Sequence, residues 1–399
     1  MIIHGTGCCL IDFLYAPVDF TSSSFKVALS CTEGDRGLIP GRLVFAEDIE
    51  EFTATPYPRI LTEISGGIPA ISCNLGGPSV VSLAHVAQML HGKSHAVRFF
   101  GSRGIDETGV LLEQALARLP FEGYKLLVKE GLTARTDVLS DPRYDKGHGE
   151  RTFIHLPGTA SLVHPEELDA SFFDAHIIAF GGTALLPPLH EHLTELLRKA
   201  RKNDAVTVVN LVYDYRSERE FPGQKWKLGL LDDAYAAIDL LIADQDEAIK
   251  TSGCPTIEAA VAWFLAQGTG AVIVTQGVQP VRFAAGKGIF APHELSSLPV
   301  CAAINQDISR RPELQGDTTG CGDNFAGGIM VAMVEQMMSE ARGKLDLREA
   351  CIPAIIAGGF ACFTWGGVFY ESRPGEKRER LAPYMPRYRS QLGYSVPYA

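Results

Sequence analysis

The chain is poor in positive charge. Its 36 Lys and Arg stand against 47 Asp and Glu, a formal net charge of −11 over 399 residues. A general nucleic-acid binder answers the phosphate backbone with clustered cations, so that class is excluded. No run is long and apolar enough to cross a bilayer, and no basic region precedes the first apolar residues as in a secretory leader. No membrane partner is expected, and a cytoplasmic location is. The nine cysteines include no Cys-x-x-Cys and no ladder spacing. Reduced, buried thiols are therefore expected rather than bridges or zinc, above all for Cys8 and Cys9 in their apolar stretch. No glycine loop leads into Gly-Lys-Ser/Thr, which excludes a P-loop, and Gly5-Thr6-Gly7 lacks the third glycine of a dinucleotide fingerprint. Internal repeats and low-complexity segments are absent as well.

What is present is ample apolar material, 46% of residues, distributed with a clear rhythm. Apolar runs at 97–100, 176–180, 205–211, 240–243 and 271–275 read as strands, and 189–202 and 257–267 among the helices. Strands alternating with helices make a parallel sheet wrapped on both faces, and ligands on such sheets bind beyond the carboxyl ends of the strands. Two stretches break the alternation: 18–64, polar and rich in turns around Gly34, Gly37, Pro40 and Gly41, and 126–155, which mixes β-like pieces with a loop at 141–149. Beyond Pro383 the Pro- and Tyr-rich tail is expected to pack as extended chain.

The densest chemistry lies in Asp317-Thr318-Thr319-Gly320-Cys321-Gly322-Asp323-Asn324-Phe325. The nearly uncharged run 325–338 downstream has the composition of a buried helix, so the helix start falls near 320–323. Amides at a helix start lack intrahelical partners and sit at the positive end of the dipole; glycines let an anion approach them. Asp323 sits at the same spot. Residue physics leaves two readings of it open: a base that takes a proton from an attacking hydroxyl while the amides hold developing charge, or a plain N-cap. The helix start is expected to lower its pKa.

This nonapeptide closely resembles the signature of the ribokinase-like (PfkB) carbohydrate kinase family, Asp-Thr-x-Gly-Ala-Gly-Asp-x-Phe, with Cys321 in the Ala position. Segments 5–12, 76–82, 101–109, 149–154, 244–248, 271–277 and 357–367 resemble the same family in the same order over most of the chain. The resemblance implies an α/β fold: a single domain over 1–399 with a ribokinase-like three-layer α/β/α core, a mainly parallel sheet, and a small β-rich lid from 18–64 and 126–155. It implies an ATP-dependent phosphotransferase acting on an alcohol of a small-molecule sugar or sugar-like substrate. Asp323 is then the base and the amides of Gly320, Cys321 and Gly322 the anion hole. Asp12, Gly76, Gly77 and Ser82 hold the acceptor, and Arg151 reaches the phosphates. Asp244, where the family carries Asn, and Glu247 organise magnesium through water. Thr275, Gly277, Gly322 and Gly359 lie along the nucleotide. A monovalent cation, potassium, is implied near Asp317 and Thr319, and lids in the family pair across a homodimer. The 101–109 match is architectural, with Asp106 capping a helix. Three other readings stand beside this one: a nucleoside (adenosine-like) kinase of the same superfamily, a catalytically silent sugar- or nucleotide-binding relative, and a nicotinamide dehydrogenase, which the missing third glycine weakens.

Overall fold

The computed structural model describes residues 1–32, 34–147, 149–230, 233–339 and 343–394. Among them the strands are β1 (Ile2–Gly7), β2 (Leu10–Tyr15), β3 (Leu43–Phe45), β4 (Ser72–Gly76), β5 (Ala96–Arg103), β6 (Gly123–Val128), β7 (Arg135–Asp141), β8 (Glu150–Leu156), β9 (Ile177–Gly181), β10 (Val206–Asn210), β11 (Leu240–Asp244), β12 (Ala271–Thr275), β13 (Val281–Ala285) and β14 (His293–Leu298). Nine of them form one sheet in the order β14-β13-β12-β11-β10-β9-β1-β5-β6. From β12 to β6 every pairing is parallel; β13 and β14 add an antiparallel edge.

The central strands are apolar throughout because both faces are covered. In β9, Ile177 and Ala179 join one core with the Pro78–Leu90, Cys321–Met338 and Leu347–Ala361 helices. Ile178 and Phe180 join another, with Leu193–Lys202 and Ile257–Ala266. The result is three layers, helix, sheet and helix. Each fully buried Ile, Leu or Phe in them contributes about 1.5–3 kcal/mol over an exposed one.

A second, five-stranded sheet has the order β3-β8-β7-β2-β4. The chain passes from the large sheet to the small one across Cys8 and Cys9 alone. Gly7 makes that crossing: its φ is 141°, and a Cβ there would lie 1.8 Å from the Gly181 carbonyl oxygen.

The small sheet differs from the expected lid in its origins. β2 and β4 come from outside 18–64 and 126–155, and β6, which contains 126–128, joins the edge of the large sheet. Segment 18–64 supplies only the three-residue β3. Its other elements are the helices Ser23–Ala28, Ala46–Thr53 and Tyr57–Ile64. The turn residues do form turns, but Tyr57, Ile60, Leu61 and Ile64 have helical spacing and bury together with Val44, Leu139 and Ile154 of the sheet. Asp106 caps Glu107–Ala117, accepting from the Gly109 amide at 2.9 Å. Of the tail expected to be extended, Tyr384–Gln391 is a helix, because Tyr384 and Tyr388, four apart, bury on one face; residues 395–399 of it lie outside the described residues. No described helix is long and apolar enough to cross a membrane.

Candidate active site

The carboxyl ends of β10, β11 and β12 and the residue after β1 open into one cavity of about 360 Å³, lined there by Asn210, Asp244, Thr275 and Cys8. The small sheet roofs it with Asp12, Thr136, Arg151 and Phe153, and the wall is the turn from Thr318 to Asp323. The expected Gly77 and Glu247 line it too. Residues from both halves of the sequence thus meet beyond the strand ends, where a doubly wound sheet leaves its crevice.

The wall is the start of the Cys321–Met338 helix. Its N-cap, Gly320, has φ 76° and no side chain to cap the first amides. A Cβ on Gly322 would meet nothing within 4 Å, so the turn is open at that residue, while the Cys321 amide donates to the Thr318 carbonyl at 3.3 Å. The carbonyl of Gly320 faces the other way, held by the backbone amide of Asn324 at 2.8 Å and by its Nδ2 at 2.8 Å. Asn324 Nδ2 also donates to the Gly367 carbonyl at 2.8 Å, and its Oδ1 accepts from Lys377 Nζ at 2.9 Å. Lys377, 1% exposed, donates as well to Gln88 Oε1 at 3.0 Å. Burial without a carboxylate bonded to its amine lowers the Lys377 pKa from 10.5 to about 7.

Asp323 faces the cavity beside Asn210, which hydrogen-bonds its carboxyl. The expectation of a lowered pKa is corrected here. Burial pushes the carboxyl up from 3.8 to about 6, and the Asn210 bond opposes this only in part. Desolvation under the roof outweighs the helix start, and it leaves a group poised near the pH at which a general base works.

Asp12 sits on β2, opposite Asn74 of β4 and Thr136 of β7. Its carboxylate lies directly over Gly76, where a Cβ would be 2.2 Å from Oδ2. Gly76 therefore makes room for the acid rather than lining the cavity. Burial, then the charges of Asp317 and Asp323, raise Asp12 well above the ordinary carboxylate range, with Arg151 opposing.

Arg151 NH1 donates to Thr319 Oγ1 at 3.0 Å, and that hydroxyl donates to Asp317 Oδ2 at 3.0 Å. The other oxygen of Asp317 accepts from the amides of Thr319 at 2.9 Å and Gly366 at 3.3 Å. Three donors and a neighbouring guanidinium thus occupy the place expected for potassium, and the residues do not fit such an ion.

Asp244 and Glu247 form a capping box at the start of Gln245–Ser252. Asp244 Oδ1 accepts from the Glu247 amide at 2.8 Å, and Glu247 Oε2 from the Asp244 amide at 2.8 Å. Burial raises both acids, Glu247 strongly; the charge of Asp244 raises Glu247 further, and that of Asp246 raises Asp244. Among the described residues no three His, Cys, Asp or Glu side chains converge tightly enough to hold a metal ion directly. Two acids on the cavity edge, each with an oxygen outside the capping box, fit a hydrated hard cation held through water.

Three expected contacts lie elsewhere. Ser82 is buried inside Pro78–Leu90 and donates to the Ser79 carbonyl at 2.9 Å. Gly359 packs on Ile304, where a Cβ would come within 2.8 Å of Cδ1. Gly277 forms the turn after β12 at φ 55° and does not line the cavity. Conversely, Asn210, Arg42, Thr136 and Tyr213 line the cavity without having been singled out. Asn210 carried a signal, a polar residue closing an apolar strand at its carboxyl end. Arg42 carried none.

No curated protein sequence matches the chain. Among solved structures, adenosine kinase from Schistosoma mansoni in complex with 2-fluoroadenosine has a TM-score of 0.68 at 15% identity, over 92% of this chain and 97% of that one. A probable sugar kinase protein from Rhizobium etli CFN 42 has a TM-score of 0.68 at 18% identity, over 96% and 98%. Ribokinase from Thermotoga maritima has a TM-score of 0.60 at 19% identity, over 96% and 99%. These likenesses establish the ribokinase-like fold. The family model of pfkB family carbohydrate kinases matches residues 68–367, more than half of the chain, so the chain belongs to that family of phosphotransferases.

Proposed function

We propose that the protein transfers the γ-phosphoryl group of ATP to an alcohol of a sugar or sugar-like acceptor. The observation that carries this is the uncapped helix start at Gly320–Gly322 with Asp323 beside it, in one cavity with Asp12. Asp12 accepts hydrogen bonds from acceptor hydroxyls, which also hold it ionised. The acceptor oxygen attacks the γ-phosphorus as the bond from that phosphorus to the β-bridging oxygen breaks. The hydroxyl proton passes to a carboxylate oxygen of Asp323, and ADP leaves. The amides of Gly320, Cys321 and Gly322 receive the charge on the phosphoryl oxygens, with Arg151 as a second donor. Asp244 and Glu247 would hold a magnesium ion through its waters, and that ion would supply positive charge against the nucleotide phosphates. Potassium beside Asp317 is left out, as are contacts from Ser82, Gly277 and Gly359. The small sheet acts as a lid, since its roof residues exclude water that would compete with the acceptor.

The apolar side chains of Leu43, Phe153, Leu185 and Tyr213, which line the same cavity as Asp12, favour a second reading, in which the acceptor is a nucleoside whose base packs on them. ADP release from Mg-ATP, measured over sugars, sugar acids and nucleosides for the native chain and Asp323→Asn, tests both. Acceptor-dependent turnover lost in the variant supports the reaction, and the active acceptor names the class. Turnover surviving in the variant removes Asp323 as base. ATP binding without turnover on any acceptor returns the silent-relative reading.

A further inference from the structure

Two thiols meet behind the anion cradle. Cys321 is the first residue of Cys321–Met338 and lines the cavity; Cys362 follows the last residue of Leu347–Ala361. They lie 41 residues apart, yet their Sγ atoms are 3.5 Å from each other and share a hydrogen bond. Both are half-buried, so a small oxidant reaches them. We propose that this pair is a thiol–disulfide site, closed by a peroxide and reopened by a dithiol, whose closure disables the anion cradle.

The chemistry balances with hydrogen peroxide as oxidant. The Cys362 sulfur attacks one peroxide oxygen, the O–O bond breaks, and water leaves a sulfenic acid. The Cys321 sulfur then attacks that sulfur, the S–S bond forms, the S–O bond breaks, and the departing hydroxide takes the Cys321 proton as a second water. The order follows from the surroundings. The hydrogen bond shared with Cys321 lowers the Cys362 pKa, with Arg151 adding to the effect, while that same bond and burial raise Cys321. Cys362 is thus the more reactive sulfur.

Closure has a structural consequence because the helices cannot slide apart. A Cβ on Gly328 would come within 2.7 Å of Ala354 Cα, and one on Gly358 within 3.0 Å of the Cys321 carbonyl oxygen, so the two helices pack backbone to backbone. Bonding the sulfurs needs an approach of about 1.5 Å. With the helix bodies fixed, that movement falls on residues 320–322, whose amides make the cradle. The segment before them is tied to the same loop, since Gly316 donates to the Cys362 carbonyl at 2.8 Å and Asp317 to that of Thr364 at 3.0 Å. Misplacing a transferring group by this much lowers turnover roughly ten-fold or more.

The effect on turnover rests on the kinase reading; the cross-link does not, and it is read separately by mass. The full chain is treated with hydrogen peroxide, alkylated and digested. The expected result is the Cys321 and Cys362 peptides joined with loss of two hydrogens, slowed by bound ATP. Acceptor-dependent turnover falls and returns with dithiothreitol. Cys362→Ser, with Cys362→Ala as the substitute if it folds poorly, starts at native turnover and keeps it under peroxide. Oxidation confined to the exposed Cys31 and Cys73, with Cys321 and Cys362 still separate thiols, overturns the proposal. So does a complete cross-link that leaves turnover unchanged.

Discussion

Asp323→Asn should abolish turnover and stabilise the empty protein in the same stroke. Burial raises this carboxyl from 3.8 to about 6, a difference worth about 3 kcal/mol between its two protonation states. In the folded chain the acid holds its proton more tightly than in the unfolded chain, so between these two values the folded state binds more protons. Ionised Asp323 therefore opposes folding. The penalty is absent below pH 3.8, grows as pH rises to about 6, and is complete at neutral pH. An amide removes it and keeps a partner for Asn210. Because the side chain opens onto the cavity, solvent reduces the gain to about 1–3 kcal/mol. Thermal unfolding at pH 7.5 should show the variant more stable, with the gap closing near pH 4. Activity follows the opposite course. The native kcat/KM for the acceptor should fall by about a decade per pH unit below 6, more steeply if Asp12 titrates with it, while the variant loses about 100- to 10,000-fold at pH 7.5. A native profile flat from pH 8 to 5 would refute the raised pKa and restore the helix start as the dominant influence. A variant less stable than native at pH 7.5 would refute the assignment of the rise to burial.

Three further substitutions probe the supports of the site. Gly76→Ala forces a methyl into the space of Asp12 Oδ2, 2.2 Å away; the acceptor KM should rise about ten-fold or more with ATP binding little changed, and an unchanged KM would separate Asp12 from the acceptor. Arg151→Met removes the donor to Thr319 Oγ1; kcat should fall about a hundred-fold if the guanidinium serves the phosphoryl group, and steady-state kinetics that match native would leave it a purely structural donor. Lys377→Met strands two amide oxygens, those of Asn324 and Gln88, and should cost about 2–4 kcal/mol of stability in denaturant unfolding. Because the folded Lys377 releases its proton near 7 and the unfolded one near 10.5, the native chain should gain stability as pH rises through that window. The variant should lack this slope.

The helix start was legible because a glycine turn followed by an uncharged run has few other uses, and Asp323 could be placed from it. Its pKa was not legible. The roof that desolvates it comes from 10–15 and 135–156, and no local pattern announces that distant strands will cover one carboxyl. Asp12 was found, but the break between β1 and β2 was not legible, because only Cys8 and Cys9 part them and the turn at Gly7 has no composition signal beyond the glycine itself. Ser82 was carried over from the family resemblance of 76–82; helical phase turns it into the protein, toward Ser79. The helices of 18–64 were hidden by the turn residues between them. Asp244 and Glu247 were expected as partners of hydrated magnesium, and the capping box, on which each carboxylate spends one oxygen, was not foreseen.

The lattice under Gly320 bears on where this protein can be divided. The family match ends at residue 367, and a fragment cut there would retain the whole signature, the cavity strands and the roof. It would lack Lys377, the side chain on which the carbonyls of Asn324 and Gln88 close, and it would open to water the ground on which the catalytic turn stands. The boundary of the recognisable sequence is thus not a boundary of the working part, and the smallest active fragment must extend past the lysine.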